Sequence, residues 1–172
     1  MLVLYIVLGV VALVLLVAAL IPATGVIRRS IVINRSPEEV FAYVADFQNY
    51  LNWNPWSKMD PQATNTISSP STGVGASWAW DGKKVGQGKL TTEALEPGRA
   101  IRSRLEFFKP FKGLATDSWS FEPNGTGTRV TWGYEGKQSW PVNRLFWVLM
   151  VKRMLTQQFD QGLAEIKTQL NG

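Results

Sequence analysis

The alternation of apolar and polar positions along the chain changes character three times. From Leu2 to Ile21 the residues are apolar throughout, with Tyr5 near one end and Gly9 the only break. A helix of that length rises about 30 Å, the thickness of a hydrocarbon core, and Pro22 followed by Gly25 ends it. Apolarity on every face predicts a membrane-spanning helix rather than an amphipathic one. The competing reading is a cleaved secretory signal, for which Ala23-Thr24-Gly25 offers small residues at a cut site. Against it, no basic region precedes the run, and the run is longer than the roughly 7–15 residues of a signal core.

The β-branched stretch Val26–Asn34 predicts a strand. Ser36-Pro37-Glu38-Glu39 then predicts a helix start. Ser36 is the cap, Pro37 takes the first helical position, and Glu39 closes a capping box. Val40, Phe41, Val44 and Phe47 supply that helix's apolar face. Between Thr64 and Glu135 the period becomes two, predicting strands at Thr64–Ser68, Ala76–Asp81, Val85–Leu95, Ala100–Phe108, Leu114–Glu122 and Arg129–Glu135. Turn residues separate these, among them Asp81-Gly82, Glu96-Pro97-Gly98 and Pro123-Asn124-Gly125, and connections this short make an antiparallel meander. A long helix over Val142–Leu170 closes the chain, its core stripe formed by Leu145, Val148, Leu149, Leu155, Phe159, Leu163, Ile166 and Leu170. The expected class is α+β: a curved antiparallel sheet wrapped on a long C-terminal helix and preceded by one transmembrane helix. The expected division is an anchor over residues 1–25 and a single domain over residues 26–172.

Composition sharpens this division. The 172 residues average to a mean hydropathy of −0.03, yet Met1–Ile27 carries no charge. All 18 basic and 13 acidic side chains lie beyond it, for a net charge of +5. With no His and no Cys, imidazole and thiolate catalysis, disulfides, Fe–S clusters and zinc knuckles are excluded, and no metal site or cofactor is expected. The basic residues are scattered, at most in pairs such as Lys83-Lys84, and no recognition motif accompanies them, so nucleic acid is not an expected partner. Gly86 and Gly88 lack the strand-to-helix setting of a phosphate loop and read as strand bends. Arg28, Arg29 and Arg35 follow the apolar segment, which favours a single-pass protein with a cytoplasmic domain.

Several of these stretches together resemble the START-like or SRPBCC superfamily, the polyketide cyclase/dehydrase-like proteins of helix-grip fold. They are Ile31-Val32-Ile33-Asn34 before Ser36-Pro37-Glu38-Glu39-Val40-Phe41, Val44-Ala45-Asp46-Phe47 leading to Trp53-Asn54-Pro55-Trp56, Gly73-Val74-Gly75-Ala76, Gly86-Gln87-Gly88, and Gly127-Thr128-Arg129-Val130-Thr131-Trp132. The resemblance covers about residues 26–170 and implies the helix-grip fold; many bacterial members also carry one N-terminal hydrophobic helix. It assigns no chemistry, because the superfamily includes lipid carriers, cyclases and hormone receptors, and no motif here carries a catalytic role.

Eight Trp, eight Phe and four Tyr are present, and every Trp follows Ile27. Strand parity puts Trp78 with Trp80, Trp119 with Phe121, Val130 with Trp132 and Tyr134, and Ile101 with Leu105 and Phe107. With Phe159 from the long helix, these faces predict an aromatic-lined cavity of roughly 300–1,000 Å³ for a hydrophobic small molecule or lipid. The bland alternative is that the rings simply fill the concavity. Trp53 and Trp56 flank Pro55 at the expected mouth, where they gate entry, meet a membrane interface or cap the core. Asp117 shares the parity of Trp119. Facing inward, it would have a raised pKa; the rarity of unpaired buried charge favours instead an exposed Asp or one paired with Arg102 or Arg104.

On the long helix, Phe146, Trp147, Met150 and Met154 fall opposite the core stripe. This apolar outer patch, with Lys152 and Arg153 beside it, predicts a membrane contact. The expected function is therefore a membrane-anchored domain that binds a hydrophobic small molecule or lipid without catalysis. A cyclase/dehydratase-like enzyme, and an interaction protein with a filled cavity, are the alternatives.

Overall fold

In the computed structural model, which describes residues 1–171, the chain begins with helix α1 (Leu2–Leu20) and enters strand β1 (Thr24–Ile33) three residues later. Helix α2 (Pro37–Ala45) follows, then a 3-10 turn (Phe47–Asn49) and the short helices α3 (Tyr50–Trp53) and α4 (Pro55–Met59). Six strands come next: β2 (Thr64–Ile67), β3 (Ser77–Gly82), β4 (Gly86–Glu96), β5 (Ala100–Lys109), β6 (Gly113–Asn124) and β7 (Gly127–Lys137). Helix α5 (Val142–Phe146), a π turn (Trp147–Val151) and helix α6 (Lys152–Asn171) complete the chain.

The capping box forms as the sequence predicts: the Ser36 hydroxyl accepts from the Glu39 N–H, and the Glu39 carboxylate accepts from the Ser36 N–H. The seven strands make one antiparallel sheet in the order β1-β7-β6-β5-β4-β3-β2. The meander runs strand to strand, and the first strand closes it by pairing with the last, from Thr24 opposite Lys137 to Ile33 opposite Thr128. Helix α6 lies in the concavity of this sheet. Arg29 on β1 donates to Asp160 at 2.6 Å, Arg35 donates to the Leu170 carbonyl at 2.7 Å, and Lys58 on α4 reaches Glu165 at 2.9 Å. Two of the three arginines that favour a cytoplasmic domain are thus engaged in holding the helix to the sheet.

The long helix departs from the expected regular stripe. Phe159, Leu163 and Ile166 are buried, but Val148 and Leu149 are exposed and Trp147 is buried at 5% exposure. The π turn explains the change. One extra residue in the turn rotates everything before it by about 100°, so the inward series runs Trp147, Val151, Leu155, Phe159 at intervals of four. Trp147 is thereby removed from the outer patch and stacks on Tyr134, ring centroids 5.6 Å apart. Gly25 makes room for it, since a Cβ there would run into the indole. Phe146, Met150 and Met154 remain exposed as expected.

Helix α1 is long and apolar enough to cross a membrane. Of its residues only Ala18 is buried.

Candidate functional site

The site grows from two cross-strand pairs on neighbouring rungs of the sheet. Trp119 on β6 lies opposite Trp132 on β7, and Asp117 lies opposite Tyr134. The two indoles stack with centroids 4.5 Å apart, and Phe159 from α6 stacks on the other side of Trp132 at 3.9 Å. This stack closes one side of the concavity. Across the sheet, Trp78 and Trp80 stack at 4.5 Å, and Tyr50 from α3 packs on Trp78 at 4.8 Å. Trp80 reaches over Gly88 toward Phe107, where any Cβ at residue 88 would strike its ring. The register of β4 on β5 shifts beside Gly88, in keeping with the bend expected there.

Between these two walls lies a cavity of about 110 Å³. Its lining is almost wholly apolar. Of the residues expected around it, Trp56, Trp78, Trp80, Leu105, Phe107, Asp117, Trp132, Tyr134 and Phe159 line it, joined by Tyr50, Val85, Leu90 and Leu155. Trp53, Trp119 and Phe121 stand behind the wall. Trp53 is 1% exposed and meets Trp119 and Trp132 edge-on, so it belongs to the core rather than to a mouth. Phe121 packs edge-on against Phe41 of α2. The volume falls below the expected range because the large rings stack face to face and occupy most of the concavity themselves.

Asp117 is the one carboxyl in this lining. It is 5% exposed, and its two oxygens accept from the indole N–H groups of Trp119 at 2.9 Å and Trp132 at 2.6 Å. Neither Arg102 nor Arg104 pairs with it; Arg104 instead faces Glu93 and Glu106 on the outer surface. The exposed or arginine-paired carboxylate is therefore not what forms. The indole N–H groups supply the partners that a buried polar group needs, without supplying a charge. Burial pushes the Asp117 carboxyl up to about 7, opposed by the two indole hydrogen bonds. Burial and the neighbouring Asp117 charge raise the Tyr50 phenol well above its ordinary range, and burial raises Tyr134. At neutral pH the cavity therefore holds two neutral phenols and a carboxyl poised at its titration point, a group that can give or take a proton. Among the described residues no group of three or more His, Cys, Asp or Glu side chains is placed to hold a metal ion.

The four lining residues beyond those expected differ in how they could be found. Leu155 lies on the helical stripe, and Leu90 lies opposite Leu105 once the hairpin is counted back from its turn. Tyr50 opens the four-residue helix α3, too short to show a period, and Val85, expected as the first residue of a strand, lies in the turn before β4.

The family described as "Polyketide cyclase / dehydrase and lipid transport" matches residues 24–171. Among solved structures, protein CV1439 from Chromobacterium violaceum aligns with a TM-score of 0.63 at 17% identity, over 86% of this chain and 97% of that one. The Aha1 dimer from Colwellia psychrerythraea aligns with a TM-score of 0.61 at 17% identity, over 85% and 96%. The di-domain ARO/CYC BexL from the BE-7585A biosynthetic pathway aligns with a TM-score of 0.64 at 15% identity, over 87% of this chain and 51% of that one. At these identities the likeness establishes the fold. No curated protein matches the chain in sequence.

Proposed function

The chain belongs to the polyketide cyclase/dehydrase and lipid-transport family, and from that premise we propose that its domain binds a small hydrophobic molecule in the cavity between the two tryptophan stacks, without transforming it. The observation that carries this reading is a partly open, aromatic-lined volume of about 110 Å³ with a single carboxyl in its wall. A space of that size suits a small branched or single-ring compound. A lipid chain or a polycyclic substrate needs the walls to part. Extraction of the purified full chain, followed by mass spectrometry, should recover an apolar small molecule that Leu105→Trp, which fills the cavity, fails to retain. Equal recovery from both proteins would sink the proposal.

The enzymatic reading has one observation in its favour, the Asp117 carboxyl near its titration point beside Tyr50 and Tyr134. A ligand recovered in chemically altered form after incubation would favour it over simple binding.

The second part of the proposal is that α1 anchors the domain in a bilayer, with the domain in the cytoplasm. In support, almost the whole of a bilayer-length apolar surface is uncovered. Further exposed apolar side chains gather near its exit: Val142, Phe146, Leu149 and Met150 on α5 and the π turn. The β5–β6 turn lies at the same end of the sheet, because Ala115 just beyond it pairs with Gly136, and Gly136 pairs with Gly25. It presents Phe108, Phe111 and Leu114 with Lys109 and Lys112, a combination suited to an anionic membrane surface. The full chain should stay with the lipid after alkaline extraction of membranes, and its release would overturn the anchor. The chain lacks Cys, so Lys112→Cys gives a single thiol whose protection from an impermeant reagent in intact cells reports the side of the membrane.

A further inference from the structure

The cavity is lopsided: apolar over nearly all of its wall, with one buried carboxyl that has no cation to match it. Among the described residues the ion pairs are Arg29–Asp160, Lys58–Glu165 and Arg104 with Glu93 and Glu106, all at the surface. Asp117 takes part in none. Its hydrogen-bond partners, the indoles of Trp119 and Trp132, are neutral. An ionised carboxylate offers about four acceptor positions. The indoles use one on each oxygen, so acceptor capacity remains on a residue that lines the cavity.

We propose that the cavity selects small hydrophobic amines, the ligand's ammonium group sitting against Asp117 and its hydrocarbon part among the surrounding rings. This rests on the binding reading above and adds the ligand's polar end to it. Candidate ligand classes differ in what they leave unsatisfied. An anion meets like charge. A hydrocarbon leaves the carboxyl's spare acceptor positions empty. An alcohol fills one of those positions but provides no counter-charge. An ammonium does both, and the aromatic wall suits it, because ring faces attract cations most strongly where water is excluded. The usual objection to a buried ion pair is the desolvation of both partners. Here folding has already desolvated Asp117, so binding adds only the cost of stripping the ligand.

The test uses three probes of one shape, isoamylamine, isoamyl alcohol and isovalerate, titrated into the full chain in lipid nanodiscs. The indole N–H resonances of Trp119 and Trp132 report binding at the carboxyl itself. At pH 8 the amine should bind roughly tenfold to a hundredfold more tightly than the alcohol, the margin of a hydrogen bond to a charged group, and isovalerate should not compete. Asp117→Asn should remove the preference while leaving alcohol binding in place. A readout without mutation guards against a variant that fails to fold. In the native chain the amine's advantage should fall at pH 5.5, where Asp117 is protonated. Tyr50 from α3 and Tyr134 from β7, the other titratable groups lining the cavity, are neutral at both pH values. Equal affinity for amine and alcohol, or a preference that survives in Asp117→Asn, overturns the proposal but leaves the cavity reading intact. If no probe, alcohol included, moves the indole resonances, the binding reading fails and takes this one with it.

Discussion

Helix α1 and the interior of the sheet are the two places where this chain concentrates apolar side chains, and they are built from different residues for different neighbours. The helix is almost entirely aliphatic, carries no Trp or Phe, and leaves all but Leu15 and Ala18 exposed. The interior is aromatic: Trp53, Trp78, Trp80, Trp119, Trp132 and Trp147 are buried there, and two of their N–H groups converge on one carboxyl. Aliphatic surface asks only to be removed from water, so it suits a fluid surrounding with no preferred geometry. Indoles have faces, edges and a donor, so the interior holds together only in one arrangement. A change in α1 should therefore alter where the protein resides, whereas a change in the interior should alter whether it folds and what fits inside.

The sharpest way to break this contrast is pH. Asp117 is pushed up to about 7 in the folded state, against an ordinary carboxyl near 3.9 when unfolded. Between those values the unfolded chain has released the proton and the folded chain keeps it, so stability falls as pH rises. The loss reaches about 4 kcal/mol by pH 8. Urea midpoints of the native chain should drop from pH 4.5 to pH 8, and Asp117→Asn should flatten that slope. A slope unchanged in the variant would place the titration elsewhere.

The boundary between the two regions lies at the π turn, and a pair of substitutions locates it. Trp147→Ala should cost about 3 kcal/mol through the cavity left against Tyr134 and Gly25. Leu149→Ala, two residues on, should stay within about 0.5 kcal/mol because that side chain is already exposed. Equal costs in chemical denaturation would restore an uninterrupted α-helical stripe. A small effect on folding is expected even from the largest deletion. Removing residues 1–22 discards one buried side chain and the Ile21 carbonyl that accepts from Arg144, and should shift domain stability by less than about 1 kcal/mol while abolishing sedimentation with membranes. A domain that unfolds without α1 would show that the helix packs on it.

Much of this was readable from residue order because local rules and global packing agree. The capping box at Ser36, the turn residues between strands and the period of two place α2 and the seven strands within a few residues, and parity puts Trp78 with Trp80 and Trp132 with Tyr134. Two features were hidden for definite reasons. The wide turn at Trp147–Val151 has no sequence mark of its own, and a stripe projected through it at 3.6 residues per turn assigns Val148, Leu149 and Trp147 to the wrong sides. The cavity's size was hidden because ring count measures the area available for packing but not whether rings stack or stand apart. Asp117 shows a subtler gap. Its parity with Trp119 is plain in the sequence, but the rarity of unpaired buried charge favours an exposed or arginine-paired Asp, whereas the donors it finds are two neutral indoles, one of them two residues along its own strand.

Only residues 21–23 join α1 to β1, and they span at most about 11 Å even fully extended. That join is also pinned, since Gln138 donates to the Ala23 carbonyl at 2.7 Å and Arg144 donates to the Ile21 carbonyl at 3.1 Å. With α1 in a bilayer, the leash is too short for the domain to swing away or to visit a second membrane. On the proposed reading, a bound molecule would then arrive and leave at the surface where the protein stands, as from a stationary reservoir rather than a ferry.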